Sequence, residues 1–145
     1  VPAACIPAPH AVISPANPDA RPPHYAVNTQ GAVTVSVARN SPVIFYCGMP
    51  VIIGSTPIAI RLIYTYQGLG AGKIVIELMS INIATGASTI LISESSSGSA
   101  AIIGVSGSNT LVSFNSDLNF YFIRIKIQPS LNSQPQTLYG VTLDF

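Results

Sequence analysis

The chain has 145 residues, one domain's worth, of which 8% are charged, and its formal net charge is +1, so no bulk field favours nucleic acid or an acidic partner. Hydrophobic residues make up 48%, so the surface must be covered by Ser, Thr, Asn and Gln or by other subunits. A membrane span is excluded where it is most tempting: residues 41–60 are uncharged and long enough, but Pro42, Pro50 and Pro57 with Gly48 and Gly54 would break a spanning helix repeatedly.

Residues 1–31 form a proline-rich arm that carries most of the chain's 12 prolines. Proline fixes φ and donates no backbone hydrogen bond, so the arm is expected to be extended, neither a helix nor a central strand. The chain starts at Val1, for which a cleaved leader is the simplest expectation. Cys5 in the arm and Cys47 in the body are the only cysteines. Paired, they would staple the arm to the body and imply an oxidising, secreted or cell-surface location. His10, His24 and Asp19 also lie in the arm, without the carboxylate cluster that a catalytic or zinc site requires.

From Gly31 onward apolar residues recur with period two. Runs at 32–38, 43–47, 58–66, 73–81, 88–94, 100–105, 110–114, 119–127 and 137–145 are rich in Ile, Val, Thr, Tyr and Phe and bounded by turn residues. No stretch has a capped helical period. The expectation is an all-β, antiparallel β-sandwich, jelly-roll-like, of about eight or nine strands over residues 32–145, preceded by the arm. Alternation assigns faces. Ile58, Ile60, Leu62, Tyr64 and Tyr66 share the core face, opposite Arg61 and Thr65. Tyr121, Ile123, Ile125 and Ile127 point inward, and Phe120, Phe122, Arg124 and Lys126 point away. Tyr139, Val141, Leu143 and Phe145 are expected inward. In 73–81 both faces are apolar apart from Lys73 and Glu77, so something is expected to cover the second face.

Gly68, Gly70 and Gly72 before Lys73 suggest a phosphate loop, which needs G-x-x-x-x-G-K-[S/T] between a strand and a helix. Position 67 is Gln67, Ile74 replaces the magnesium-binding hydroxyl, and "KIVIEL" alternates like a strand. The run therefore reads as a wide hairpin connection. "GVSGS" (104–108) imitates a nucleophile elbow, but no histidine follows it. Glu77 and Asp144 are matched by Arg61, Arg124 and Lys126, so cross-strand charge pairing explains the carboxylates better than glycosidase chemistry does. Asn115, Asp117 and Asn119 could ligate calcium but fit an Asx-type turn better. No enzyme activity, cofactor or metal is expected.

The segment Val43–Phe145, with its "NIATGAST" turn (82–89) and "NFYFIRIKI…TLYGVTLDF" ending, resembles secreted bacterial β-sandwich proteins of uncharacterised role. The proline-rich arm before a sandwich resembles, in architecture, extracellular filament subunits that donate a strand to a neighbour. These resemblances imply a non-enzymatic extracellular structural subunit, a homo-oligomer or polymer, assembled through its arm by strand addition. Candidate interface residues are Ile6, Val12, Ile13, Tyr25 and Val27 of the arm with the outward Phe120 and Phe122. One alternative is a carbohydrate-binding module that uses Phe120, Phe122 or the Ser93–Thr110 loops, although the chain has no Trp for sugar stacking. Another is a viral or phage capsid or decoration jelly roll, since capsid arms also reach across subunits.

Overall fold

The computed structural model describes residues 5–7, 25–27, 33–35, 42–49, 57–68, 72–96, 100–106, 109–128 and 136–144. Among them are eleven strands: β1 (Cys5–Pro7), β2 (Tyr25–Val27), β3 (Val33–Val35), β4 (Val43–Gly48), β5 (Ile58–Gly68), β6 (Lys73–Asn82), β7 (Ser88–Ser95), β8 (Ala100–Ser106), β9 (Thr110–Val112), β10 (Asn119–Gln128) and β11 (Gln136–Asp144). The strands β3 to β11 fall on the nine alternating runs of the sequence. No helix among the described residues is long and apolar enough to cross a membrane.

The strands form two sheets. One has the order β1-β4-β10-β6-β7, the other β2-β3-β11-β5-β8, and β9 pairs with the first residues of β5. Every pairing is antiparallel. The chain crosses between the sheets at β1–β2, β3–β4, β4–β5, β5–β6, β7–β8, β9–β10 and β10–β11, which makes the sandwich jelly-roll-like. Alternate residues of both sheets meet in one core. The first sheet contributes Val43, Phe45, Cys47, Ile74, Ile76, Leu78, Ile92, Ile123, Ile125 and Ile127, and the second contributes Ile60, Leu62, Tyr64, Tyr66 and Leu138. β-Branched and aromatic side chains suit this pleated, half-buried surface, and their removal from water drives the sheets together.

Turn chemistry fixes the ends of the strands. In the β6–β7 hairpin, Asn82 Oδ1 accepts hydrogen bonds from Ala84 N, Thr85 N and Thr85 Oγ1. Gly86 closes that turn at φ 71°, where a side chain would be strained. Before β10, Asn115 Oδ1 accepts from Asp117 N at 3.1 Å, and Asn115 O accepts from Asn119 N at 2.9 Å. The Asn115–Asn119 segment is thus an Asx-type turn whose key oxygen is already engaged.

Three expectations change. The Gly68–Gly72 link is not a hairpin connection, because β5 and β6 lie in different sheets and the link carries the chain from one layer to the other. Gly72 is needed there because a Cβ on it would collide with the Cγ, Cδ and Nε2 of the fully buried Gln136. Tyr139 does not point inward. A bulge between Leu138 and Gly140 makes Tyr139 the extra residue, and it emerges 37% exposed with its hydroxyl donating to Gln67 Oε1 at 2.8 Å. Beyond the bulge Val141 and Leu143 pack on the core as expected, and Phe145 lies outside the described residues. Finally, the described parts of the arm pair with their own chain: β1 is the edge strand beside β4, and β2 is the edge strand beside β3. Edge positions suit Pro7, which has no N–H to offer a ladder.

Candidate functional site

Cys5 and Cys47 face each other directly across β1 and β4 and form a disulfide within the chain, S–S 2.06 Å. Cys47 is buried in the core and Cys5 is exposed. Of the other candidate interface residues, Ile6 lies opposite Tyr46 on β1, and Tyr25 and Val27 lie on β2 opposite Val35 and Val33. Val12 and Ile13, with His10, Asp19 and His24, lie outside the described residues.

Phe120 and Phe122 lie on the outer face of the first sheet, and the register shows what surrounds them. Gly48, Phe122, Met79 and Ile90 form one cross-strand row, and Tyr46, Arg124, Glu77 and Ser93 form the next. Ile44, Lys126, Val75 and Ser95 form a third row. At one end Phe120 stands opposite Ile81, and at the other Gln128 stands opposite Lys73. The face is therefore graded, aromatic and aliphatic at the Phe120 end and cationic at the Lys73 end.

At the apolar end Phe120 is 64% exposed, and Ile83, Ile90 and Leu118 beside it are also exposed. Ile83 N donates to Leu118 O at 2.8 Å, which joins the two turns that carry this corner. Further in, Tyr46 and Phe122 meet edge to face with ring centroids 5.8 Å apart, the arrangement their quadrupoles favour. Met79 on the same face is buried and Val75 and Ile81 are half-buried, with no other described strand layered over them.

Glu77 is the centre of the face. It is only 4% exposed, although it points away from the core. Arg124 Nε donates to its Oε2 at 2.6 Å, and Lys126 Nζ donates to its Oε1 at 3.0 Å. Burial works to raise the Glu77 carboxyl, but the hydrogen bonds and charges of Arg124 and Lys126 outweigh it and hold the group below its ordinary value. Glu77 thus stays ionised near neutrality with both oxygens occupied, which suits an anchor better than a general acid or base. Arg124 keeps its Nη groups and Lys126 two further N–H donors for another acceptor. The other predicted charge pair, Arg61 with Asp144 at 2.6 Å, lies across β5 and β11 on the exposed face of the second sheet.

Alternation alone placed Phe120, Phe122, Arg124, Lys126 and Glu77 on strand faces. It could not bring Tyr46, Met79, Ser93 and Lys73 to them, because that depends on which strands pair and in what register. Among the described residues no group of three or more His, Cys, Asp or Glu could hold a metal ion.

No protein-family model matches the chain, and no curated protein matches it. Among solved structures it is similar to a family 4 carbohydrate-binding module, described as "CBM4 structure and function", with a TM-score of 0.53, 15% identity, and coverage of 83% of this chain and 87% of that chain. A TmCBM61 module in complex with β-1,4-galactotriose aligns at a TM-score of 0.43 and 12% identity, over 78% of this chain and 69% of that one. At such identities the likeness is one of fold alone, that of a β-sandwich.

Proposed function

We propose that the chain is a non-catalytic, secreted carbohydrate-binding β-sandwich and that the outer face of the first sheet is its binding surface. The observation that carries this reading is the juxtaposition on one face of Phe120, Phe122 and Tyr46 with Arg124, Lys126, Ser93 and Ser95. A sugar ring has an apolar C–H face that lies against aromatic rings, and hydroxyl edges that need fixed donors and acceptors. An apolar strip bordered by a few convergent polar groups meets both needs. The sandwich shared with a carbohydrate-binding module lends support at the level of fold, and the disulfide is consistent with an oxidising, extracellular setting.

Affinity electrophoresis against a panel of soluble polysaccharides tests the reading. At least one neutral or acidic glycan is expected to retard the protein, and Phe122→Ala should remove most of that retardation while the far-ultraviolet circular dichroism stays unchanged. Retardation that survives both Phe122→Ala and Phe120→Ala would rule this face out.

The exposed corner of Ile83, Ile90, Leu118 and Phe120 favours a second reading, a subunit that associates with copies of itself. In that case Phe120→Ser lowers the mass measured in solution by light scattering. No change in mass counts against it.

A further inference from the structure

The charges of this chain are few but unevenly placed. Of its 6 Lys and Arg residues, Lys73, Arg124 and Lys126 all belong to the outward set of β6 and β10. Lys73 is exposed, and it is the diagonal neighbour of Lys126 across the strand pair. Among the described Asp and Glu residues, Glu77 alone joins them there. Asp144 pairs with Arg61 on the other sheet, and Asp117 lies in the turn before β10. Glu94 stands opposite the inward Ile76 and so belongs to the core-facing set of β7. Among the described residues, this face of a nearly neutral protein thus holds three cations against one carboxylate, and that carboxylate is already consumed by two of them.

We propose that the ligand of this face is an anionic glycan, one whose sugar rings bear carboxylate or sulfate groups. The inference rests on the carbohydrate-binding reading above and narrows it to a ligand class. Tyr46 stands directly opposite Arg124, and Phe122 is two residues before it on the same face. An acidic sugar fits this pair of neighbours: its ring face lies on the aromatic side chains while its anion reaches the free guanidinium and ammonium donors. Glu77 orients those cations by its two short hydrogen bonds, so little side-chain freedom is lost when the ligand binds. A neutral glycan would leave a partly dehydrated surplus of positive charge unanswered beneath it.

The test compares polygalacturonate with its fully methyl-esterified form, which has the same backbone without the charge. Carrageenan, which carries sulfate and no carboxylate, and polyglutamate, a polyanion that is not a sugar, complete the panel, all with the full-length protein. The expected result is about tenfold tighter binding of polygalacturonate than of its ester at low salt, a difference that shrinks as salt rises. Lys73→Gln, at an exposed side chain, should weaken acid binding roughly twofold to fivefold and leave the ester unaffected, and Lys126→Gln should weaken acid binding by a similar factor and more than it weakens the ester. Retention of carrageenan but not polygalacturonate supports the proposal with sulfate as the anion. Equal affinity for acid and ester overturns the anionic preference and leaves the glycan reading standing. Failure to bind any polysaccharide overturns both. Binding polyglutamate as tightly as polygalacturonate, unaffected by Phe122→Ala, overturns the glycan and leaves only a surface for polyanions.

Discussion

Three residues in this sandwich have environments that ordinary sequence patterns do not reveal. Glu77 is a carboxylate buried on the outside of a sheet. With its folded value held below the ordinary 4.5, it contributes stability that is complete above that value and is lost as pH falls through the folded one. Glu77→Gln leaves Arg124 and Lys126 without their counter-charge and should cost about 2–4 kcal/mol at pH 7. Urea melts at pH 7 and pH 3 check this, because the gap between the two proteins should narrow at acid pH. Tyr64 is the opposite case. It is buried, and its hydroxyl has no hydrogen-bond partner among the described residues. Burial first, then Tyr66 and Glu94, push its phenol up from 10.0 to about 12. The protein therefore loses stability as pH rises from the unfolded value through the folded one, since the unfolded chain gives up that proton first. Tyr64→Phe keeps the 5.6 Å stack on Tyr66 and removes the unsatisfied oxygen. It should stabilise the fold by about 1 kcal/mol and flatten the alkaline slope of the melting temperature. Gly72 is the third. Its run of glycines imitates a phosphate loop, yet its requirement is steric, set by Gln136 from a strand far away in sequence. Gly72→Ala should destabilise by about 2 kcal/mol by displacing the buried Gln136 side chain, read from the midpoint of a denaturant melt.

At the scale of elements, the legible part of the fold is the part written locally. Period-two alternation marks β3 to β11 and puts Ile60, Leu62, Tyr64 and Tyr66 on one face because a strand cannot do otherwise. What alternation cannot show is a one-residue insertion. The bulge at Leu138–Gly140 turns Tyr139 outward, and the register shift between Leu78 and Met79 leaves Leu91 unpaired between Ile90 and Ile92. Neither leaves a signature in composition, since a bulge is fixed by the partner strand. Pairing is illegible for the same reason. The outer face that joins Tyr46, Phe122, Arg124 and Glu77 exists only because β4, β10 and β6 are neighbours, although they stand far apart in the chain. The smallest elements, β1 and β2, have three residues each and no alternation to read; only Cys5 betrayed the first. That strand is pinned covalently across 42 residues of sequence. Replacing both Cys5 and Cys47 by Ser should lower stability by up to about 4 kcal/mol on loop-closure grounds. Thermal melts of the wild type with and without reductant should show the same loss, and a melting temperature unmoved by both treatments would mean that β1 contributes nothing to the fold.

At the scale of the whole molecule, the arm meets both layers. β1 extends the first sheet beyond β4, and β2 extends the second beyond β3. Each covers a row of backbone donors and acceptors that would otherwise face solvent, and such open edges recruit other chains. The chain has little else to prevent this, because at a net charge of +1 its copies barely repel one another. A chain that begins at residue 32 therefore loses the cover of both sheets at once, and it also leaves Cys47 as a free thiol. The core residues of β4 to β11 all remain, so the body should retain its β-sheet circular dichroism. In light scattering it should form larger species than the full chain at equal concentration, growing with concentration. Adding Cys47→Ala to the shortened chain separates the two causes. Growth that persists without the thiol assigns association to the bared edges of β4 and β3, whereas growth that stops assigns it to intermolecular disulfides. A shortened chain with the same mass as the full one at every concentration would show that the edges need no cover and that the arm serves another purpose.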